Sequence, residues 1–362
     1  MADFEVTWED RPPKDDMVSQ TRELMQTKFI DHSKRPVIGV LTEPMRGDLY
    51  RASDVWKDEI GNGTDRGVPG YVPRSHVQFL EQAGVRVIPI DYRLPKDELT
   101  ALYDQLNGVY LPGDSQMAVT DETYRKAFVS ALAYCEHKAF ELKEHFPVFM
   151  MGNSLGTWIR SKQKQSNTLT NMEDYMFTNS RLDLVSHPDD TYLFNKMTRE
   201  EKQAMFNTAE FFNAQFTGLR PKDLKVQNSL KRHLRPLAVF TSHDKITKEE
   251  EKFIAIAEGA EMPIYAFTYG VELVQFFFED ATATKDQFVL DHSILARKHA
   301  QTIANLIAAE ARMNDHSFDH EESVFENLIK HEELASIKYL SQTPNKSFVP
   351  LGMESHDVYI LH

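Results

Sequence analysis

The order of apolar runs in this chain predicts a three-layer α/β fold, a mostly parallel sheet with helices on both faces. Three observations carry that reading. Four strand-length apolar runs alternate with helical segments between Pro36 and Met151, which is the signature of right-handed strand–helix–strand units. The fourth run, Val148 to Met151, leads into Gly152-Asn153-Ser154-Leu155-Gly156, the G-x-S-x-G form of a nucleophile elbow. Hydrophobic residues make up 41% of the 362 positions and charged residues 27%, enough apolar material for a large core and an ordinary soluble surface.

The elements follow in order. Pro36 to Leu41 reads as a buried strand. Asp48 to Val72 reads as a long loop with Gly61, Gly63, Gly67, Pro69 and Gly70. Ser75 to Ala83 is helical, with Gly84 placed to end it. Val85 to Ile90 is the second strand, Lys96 to Leu106 a helix, and Gly108 to Gly113 a third strand that ends in a turn. Asp121 to Lys143 is a long helix feeding the fourth strand. Further strands are expected at Leu237 to Thr241, Phe253 to Ala257 and Ile264 to Phe267, the last two flanking a hairpin-like turn at Glu258-Gly259-Ala260. Ser293 to Asn314 is a long helix, and Val358 to Leu361 an expected edge strand. Strand C-termini, turns and elbow then share one edge of the sheet, where ligands of such folds sit.

Composition narrows the function. A net charge of −14 speaks against a general nucleic-acid surface. The single cysteine, Cys135, lies in a helical apolar stretch and reads as buried filler in a reducing compartment. The first 34 residues are polar and acidic, with no signal-peptide core. No apolar stretch is long enough to span a membrane. The segment His316 to Glu322 clusters ligand-type side chains, but without a supporting motif it reads as a solvated turn rather than a metal site. Phe276-Phe277-Phe278 reads as core or a covered loop, and Lys248 to Lys252 as a solvated turn.

Several landmarks in order resemble gamma-glutamyl hydrolase. They are Arg35 to Leu41, Phe79 to Pro89, Leu106 to Gly113, the elbow, Met262 to Tyr265, Glu310-Ala311-Arg312 and the final Tyr359-Ile360-Leu361. The resemblance spans Arg35 to His362. It implies a class I glutamine amidotransferase-like fold, an N-terminal extension over residues 1–34, and ancestral cleavage of gamma-glutamyl tails from folate polyglutamates. It also implies site residues. The family motif Gly-Thr-Cys-Leu-Gly places its nucleophilic cysteine at Ser154. Its Trp-His-Pro-Glu motif falls on Tyr269-Gly270-Val271-Glu272, so Gly270 stands in the place of the base and Glu272 matches the carboxylate. Its Pro-Gly-Gly turn becomes Pro112-Gly113-Asp114, so Asp114 and Leu155 occupy the oxyanion-hole region and Asp114 adds a carboxylate there. A further family histidine falls at Asn213. A serine hydroxyl needs a neighbouring base where a thiolate does not, and these losses act as a unit.

The expectation is therefore a gamma-glutamyl-hydrolase-like pseudoenzyme. It would serve as a structural or interaction component of an intracellular assembly, a ciliary microtubule doublet being one suitable host. Protein partners are expected, and no cofactor, metal, nucleic acid or membrane. Its location would be cytoplasmic, with the cytoskeleton or cilium included. The alternative is an active hydrolase of gamma-glutamyl bonds, or another serine hydrolase in which Ser154 works with Asp244 or Asp291 and with His292, His299 or His316.

Overall fold

The computed structural model describes residues 35–44, 50–52, 69–113, 121–162, 169–171, 178–185, 191–195, 197–206, 210–213, 217–222, 234–243, 250–268, 294–339 and 355–361. The extension, Asp114, Asp244, Gly270, Glu272, Phe276 to Phe278, Asp291 and His292 lie outside them.

In the first half, strands β1 (Val37–Leu41), β2 (Glu43–Pro44), β3 (Tyr50–Ala52) and β4 (Gly70–Pro73) precede helix α1 (Arg74–Glu81). Then follow β5 (Arg86–Ile90), α2 (Lys96–Tyr103), β6 (Val109–Leu111), α3 (Glu122–His137), β7 (Val148–Met151) and α4 (Ser154–Lys162). The second half contains β8 (Leu169–Asn171), β9 (Thr178–Leu184), α5 (Tyr192–Asn195), α6 (Arg199–Phe206), β10 (Glu210–Asn213) and β11 (Thr217–Leu219). It closes with β12 (Leu234–His243), β13 (Glu250–Gly259), β14 (Ile264–Phe267), α7 (Ile294–Arg312), α8 (Glu321–Glu326), β15 (Glu333–Tyr339) and β16 (Ser355–Leu361).

The main sheet runs β10-β9-β12-β13-β14-β7-β6-β1-β5. Its right-hand block, β14-β7-β6-β1-β5, is parallel throughout. This is the predicted parallel sheet, and it carries the elbow. The remaining strands extend it as an antiparallel wing, and the hairpin between β13 and β14 appears where it was expected.

Both faces of the parallel block are buried, and the pleat sorts its side chains between two cores. Ile38, Val40, Tyr110, Phe149, Met151, Tyr265 and Phe267 join the α1 and α7 side chains on one face. Val37, Leu41, Val109, Leu111, Val148, Met150 and Ile264 join those of α2, α3 and α4 on the other. Helices on both faces follow directly. Asp121 caps α3 by accepting from the N–H groups of Thr123 and Tyr124 at 2.9 and 3.0 Å. The long helix predicted to Lys143 is regular only to His137. A π-helical turn over Lys138–Leu142 follows, and Lys143 ends it with φ of 58°. Cys135 is fully buried in α3, and burial pushes its thiol pKa up, which keeps the thiol protonated and inert.

Four readings need correction. The described part of the turn expected at Lys248 to Lys252 is strand, since β13 begins at Glu250. The turn expected at His316 to Glu322 is not simply solvated, because the His316 ring bonds to Tyr103 O and Leu106 O and Glu321 opens α8. Val358 to Leu361 is not at an edge. It belongs to β16, the middle strand of a second sheet ordered β2-β4-β16-β15-β3. Its neighbour β15 reads Glu-Leu-Ala-Ser-Ile-Lys-Tyr, too polar to announce a strand. The described part of the expected loop from Asp48 to Val72 contributes β3 and most of β4 to the same sheet. Pairing with distant strands, not local propensity, makes these segments extended.

Candidate functional site

The elbow sits at the C-terminal edge of the parallel block. β7 delivers the chain there between β6 and β14, with Met150 paired to Leu111 and Met151 to Phe267. Gly152 makes the turn with φ of +49°, a left-handed conformation that favours glycine. Its N–H donates to Phe267 O at 2.9 Å. Asn153 then grips the turn after β6. Its backbone N–H and its side-chain amide both donate to Gly113 O, at 3.1 and 2.8 Å.

Gly113 is obligatory at this crossing. A Cβ there would lie 2.1 Å from Met151 O, 2.5 Å from the Asn153 nitrogen and 2.6 Å from the Ser154 nitrogen. Backbone packs directly on backbone, so no side chain fits. Strand, glycine turn and helix are thus assembled as the sequence predicted.

Ser154 departs from a working elbow. It is the first residue of α4, and the helix is already closed around it, with Thr157 N–H donating to Asn153 O at 3.1 Å. Among the described residues Lys143 alone combines a side chain with positive φ. The strain that lifts a nucleophile clear of the sheet is therefore absent at Ser154, and Gly152 takes the left-handed backbone instead. The Ser154 side chain is 1% exposed. Its hydroxyl lies 2.5 Å from Pro112 O and 3.0 Å from Leu111 O, and donates to them. A carbonyl oxygen cannot take a proton in the manner of an imidazole or carboxylate. The hydroxyl ties the start of α4 to the end of β6.

Two partners of the serine-hydrolase reading, His299 and His316, are among the described residues, and neither converges on it. His299 lies on α7, whose apolar residues pack on the opposite face of the sheet from α4. Burial depresses its pKa to about 4, so the ring is neutral near pH 7. His316 lies at the other end of the strands, where its Nδ1 donates to Tyr103 O and Leu106 O, each at 3.0 Å. Leu155, expected in the oxyanion-hole region, has a buried side chain packed with Trp158 and Ile159 in the α4 core. Asn213 closes β10 opposite Thr178, at the far edge of the antiparallel wing. No group of three or more His, Cys, Asp or Glu side chains suited to a metal ion occurs among the described residues.

Buried polar pairs that sequence reading missed stand near the same edge. The Tyr71 hydroxyl donates to Glu43 Oε2 at 3.2 Å, and His76 Nδ1 shares a 2.6 Å hydrogen bond with the Tyr110 hydroxyl. Glu43 and His76 are both nearly inaccessible. The available signal was a carboxylate directly after an apolar strand and a histidine in the first turn of a helix. Each is common enough in loops and on surfaces to pass unnoticed.

The sheet order, the two helical layers and the strand–turn–helix define an α/β protein built around an elbow. Comparison with known proteins specifies the class. Gamma-glutamyl hydrolase B of Dictyostelium discoideum is 29% identical over 298 residues, covering 81% of this chain and 77% of the relative. Gamma-glutamyl hydrolase of Rattus norvegicus is 25% identical, covering 82% and 84%. The Homo sapiens enzyme is 24% identical, covering 80% and 82%. No family model matches the chain. The chain is a gamma-glutamyl-hydrolase-like protein, related to these enzymes over about four-fifths of its length.

Proposed function

We propose that this gamma-glutamyl-hydrolase-like protein has lost acyl transfer at its elbow and acts as an interaction component of a larger assembly. One observation carries the first half. The Ser154 hydroxyl is buried in an unstrained helical turn and directed at the carbonyls of Leu111 and Pro112. A nucleophile needs the opposite arrangement, with an exposed oxygen, a base within about 3 Å and a strained turn behind it. Gly270 in the place of the base, and Asp114 with its carboxylate in the oxyanion-hole turn, support the same reading through the family resemblance. The second half rests on the retained frame. A fold kept without its chemistry leaves its surface as the part that acts.

The test uses the full chain. Purified protein is incubated with folate polyglutamates and with gamma-glutamyl dipeptides, beside a Ser154→Ala variant. No turnover above the variant is expected, and turnover that disappears in S154A would overturn the reading. Affinity purification of the full chain beside a version beginning at Arg35 tests the interaction role. Partners retained by the full chain and lost by the shorter one would support it, and identical or empty partner sets would remove it for the extension.

A further inference from the structure

At the end of the sheet opposite the elbow, the starts of β1 and β5 and the approach to β6 enclose a cleft of about 430 Å³. That volume suits a small molecule. Its walls are fixed in advance. Asn107 Oδ1 accepts from Val37 N–H at 2.8 Å, and Asn107 Nδ2 donates to His316 O at 2.7 Å. The Asn314 side chain accepts from His316 N–H at 2.9 Å and donates to His145 O at 2.7 Å. The segment after α7 is thereby stapled under the strands.

The lining has two characters. Val37 and Val324 are buried, and Phe318 packs partly buried beside them against the α2–α3–α4 core. The polar side presents Arg35, Arg86, His316 and His320 against one carboxylate, Glu321. With the histidines neutral, two arginines face one carboxylate, a local excess of positive charge on a chain of net charge −14, and clefts focus such fields.

Arg86 shows what the cleft accepts. Its Nη2 donates to Arg35 O at 2.9 Å, and its Nη1 donates to Glu321 Oε2 at 2.5 Å. Its Nε is buried and has no acceptor among the described residues. Glu321 reaches in from solvent, with its side chain 78% exposed. An exposed ion pair of that kind is weak and replaceable. A carboxylate therefore already docks on the guanidinium, held only by a surface side chain.

We propose that this cleft binds a small organic carboxylate. Its anionic group would displace Glu321 from Arg86 and pair also with Arg35. Its apolar body would lie against Phe318, Val37 and Val324. The apolar floor selects an organic acid over a bare inorganic anion, and the arginines select the acid over its amide.

The experiment is ligand-observed NMR on the full chain with benzoate as the probe. Benzamide, acetate and inorganic phosphate serve as competitors. Benzoate should bind, and the three competitors should displace it poorly. Arg35→Gln should weaken binding by about ten-fold, and Glu321→Gln should tighten it about three- to five-fold by removing the internal competitor. Arg35 and Glu321 are both exposed, so neither variant endangers the fold, and thermal melts check this. Absence of benzoate binding, binding unmoved by both substitutions, or phosphate competing as well as unlabelled benzoate would each overturn the proposal.

Discussion

Replacing Ser154 by alanine separates a structural serine from a catalytic one by the sign of the stability change. The hydroxyl has one proton and two carbonyl acceptors, at 2.5 and 3.0 Å, in a site 1% exposed. Alanine removes the donor and admits no water in its place. A buried hydrogen bond contributes about 1 kcal/mol, and an acceptor left dry adds to the loss. The expected destabilisation is about 1–2 kcal/mol, with little added for the vacated volume of one oxygen. A catalytic serine held in a strained turn would behave otherwise, because removing an active-site group often leaves stability unchanged or raises it. Urea unfolding near pH 7, followed by tryptophan fluorescence, measures the difference, with buried Trp158 one turn from the substitution. An S154A protein as stable as the parent, or more stable, would refute the structural role. A cysteine, the residue that the family resemblance implies at this position, should fit no better. Sulfur is larger than oxygen and a weaker donor, and the present contacts would become overlaps.

Two further outcomes follow from the same geometry. Gly113→Ala places a methyl group 2.1 Å from Met151 O, where backbone meets backbone. The turn after β6 and the elbow must part, so a loss of at least about 3 kcal/mol or failure to fold is expected, and a variant with parental stability in the same urea assay would contradict the crossing. His299 gives a pH dependence. Burial lowers its folded pKa from 6.5 to about 4, so the unfolded chain takes up the proton first as pH falls. Its contribution is complete above pH 6.5 and is lost progressively down to about pH 4, on the order of 3 kcal/mol at most. Urea titrations across that window should show a shallower slope for His299→Gln than for the parent, and equal slopes would place the pH dependence elsewhere.

By itself the sequence determined the parallel block and its elbow. Continuous apolar runs such as Val37–Leu41 and Val148–Met151 can be satisfied only by burial on both faces, and long intervening helices force parallel crossovers. Gly152, Gly156 and Ser154 marked the turn because the motif carries its own backbone requirement. The antiparallel wing and the second sheet were less legible. Strands such as β9, Thr-Asn-Ser-Arg-Leu-Asp-Leu, and β15 are extended because a distant partner supplies their hydrogen bonds, and no local pattern encodes a partner. Only the tertiary structure decided what Ser154 does. The letters of the elbow are compatible with either orientation of the hydroxyl. Its direction is set by the carbonyls of Leu111 and Pro112, some forty residues earlier in the chain, which β6 brings within a hydrogen bond's length of the first turn of α4.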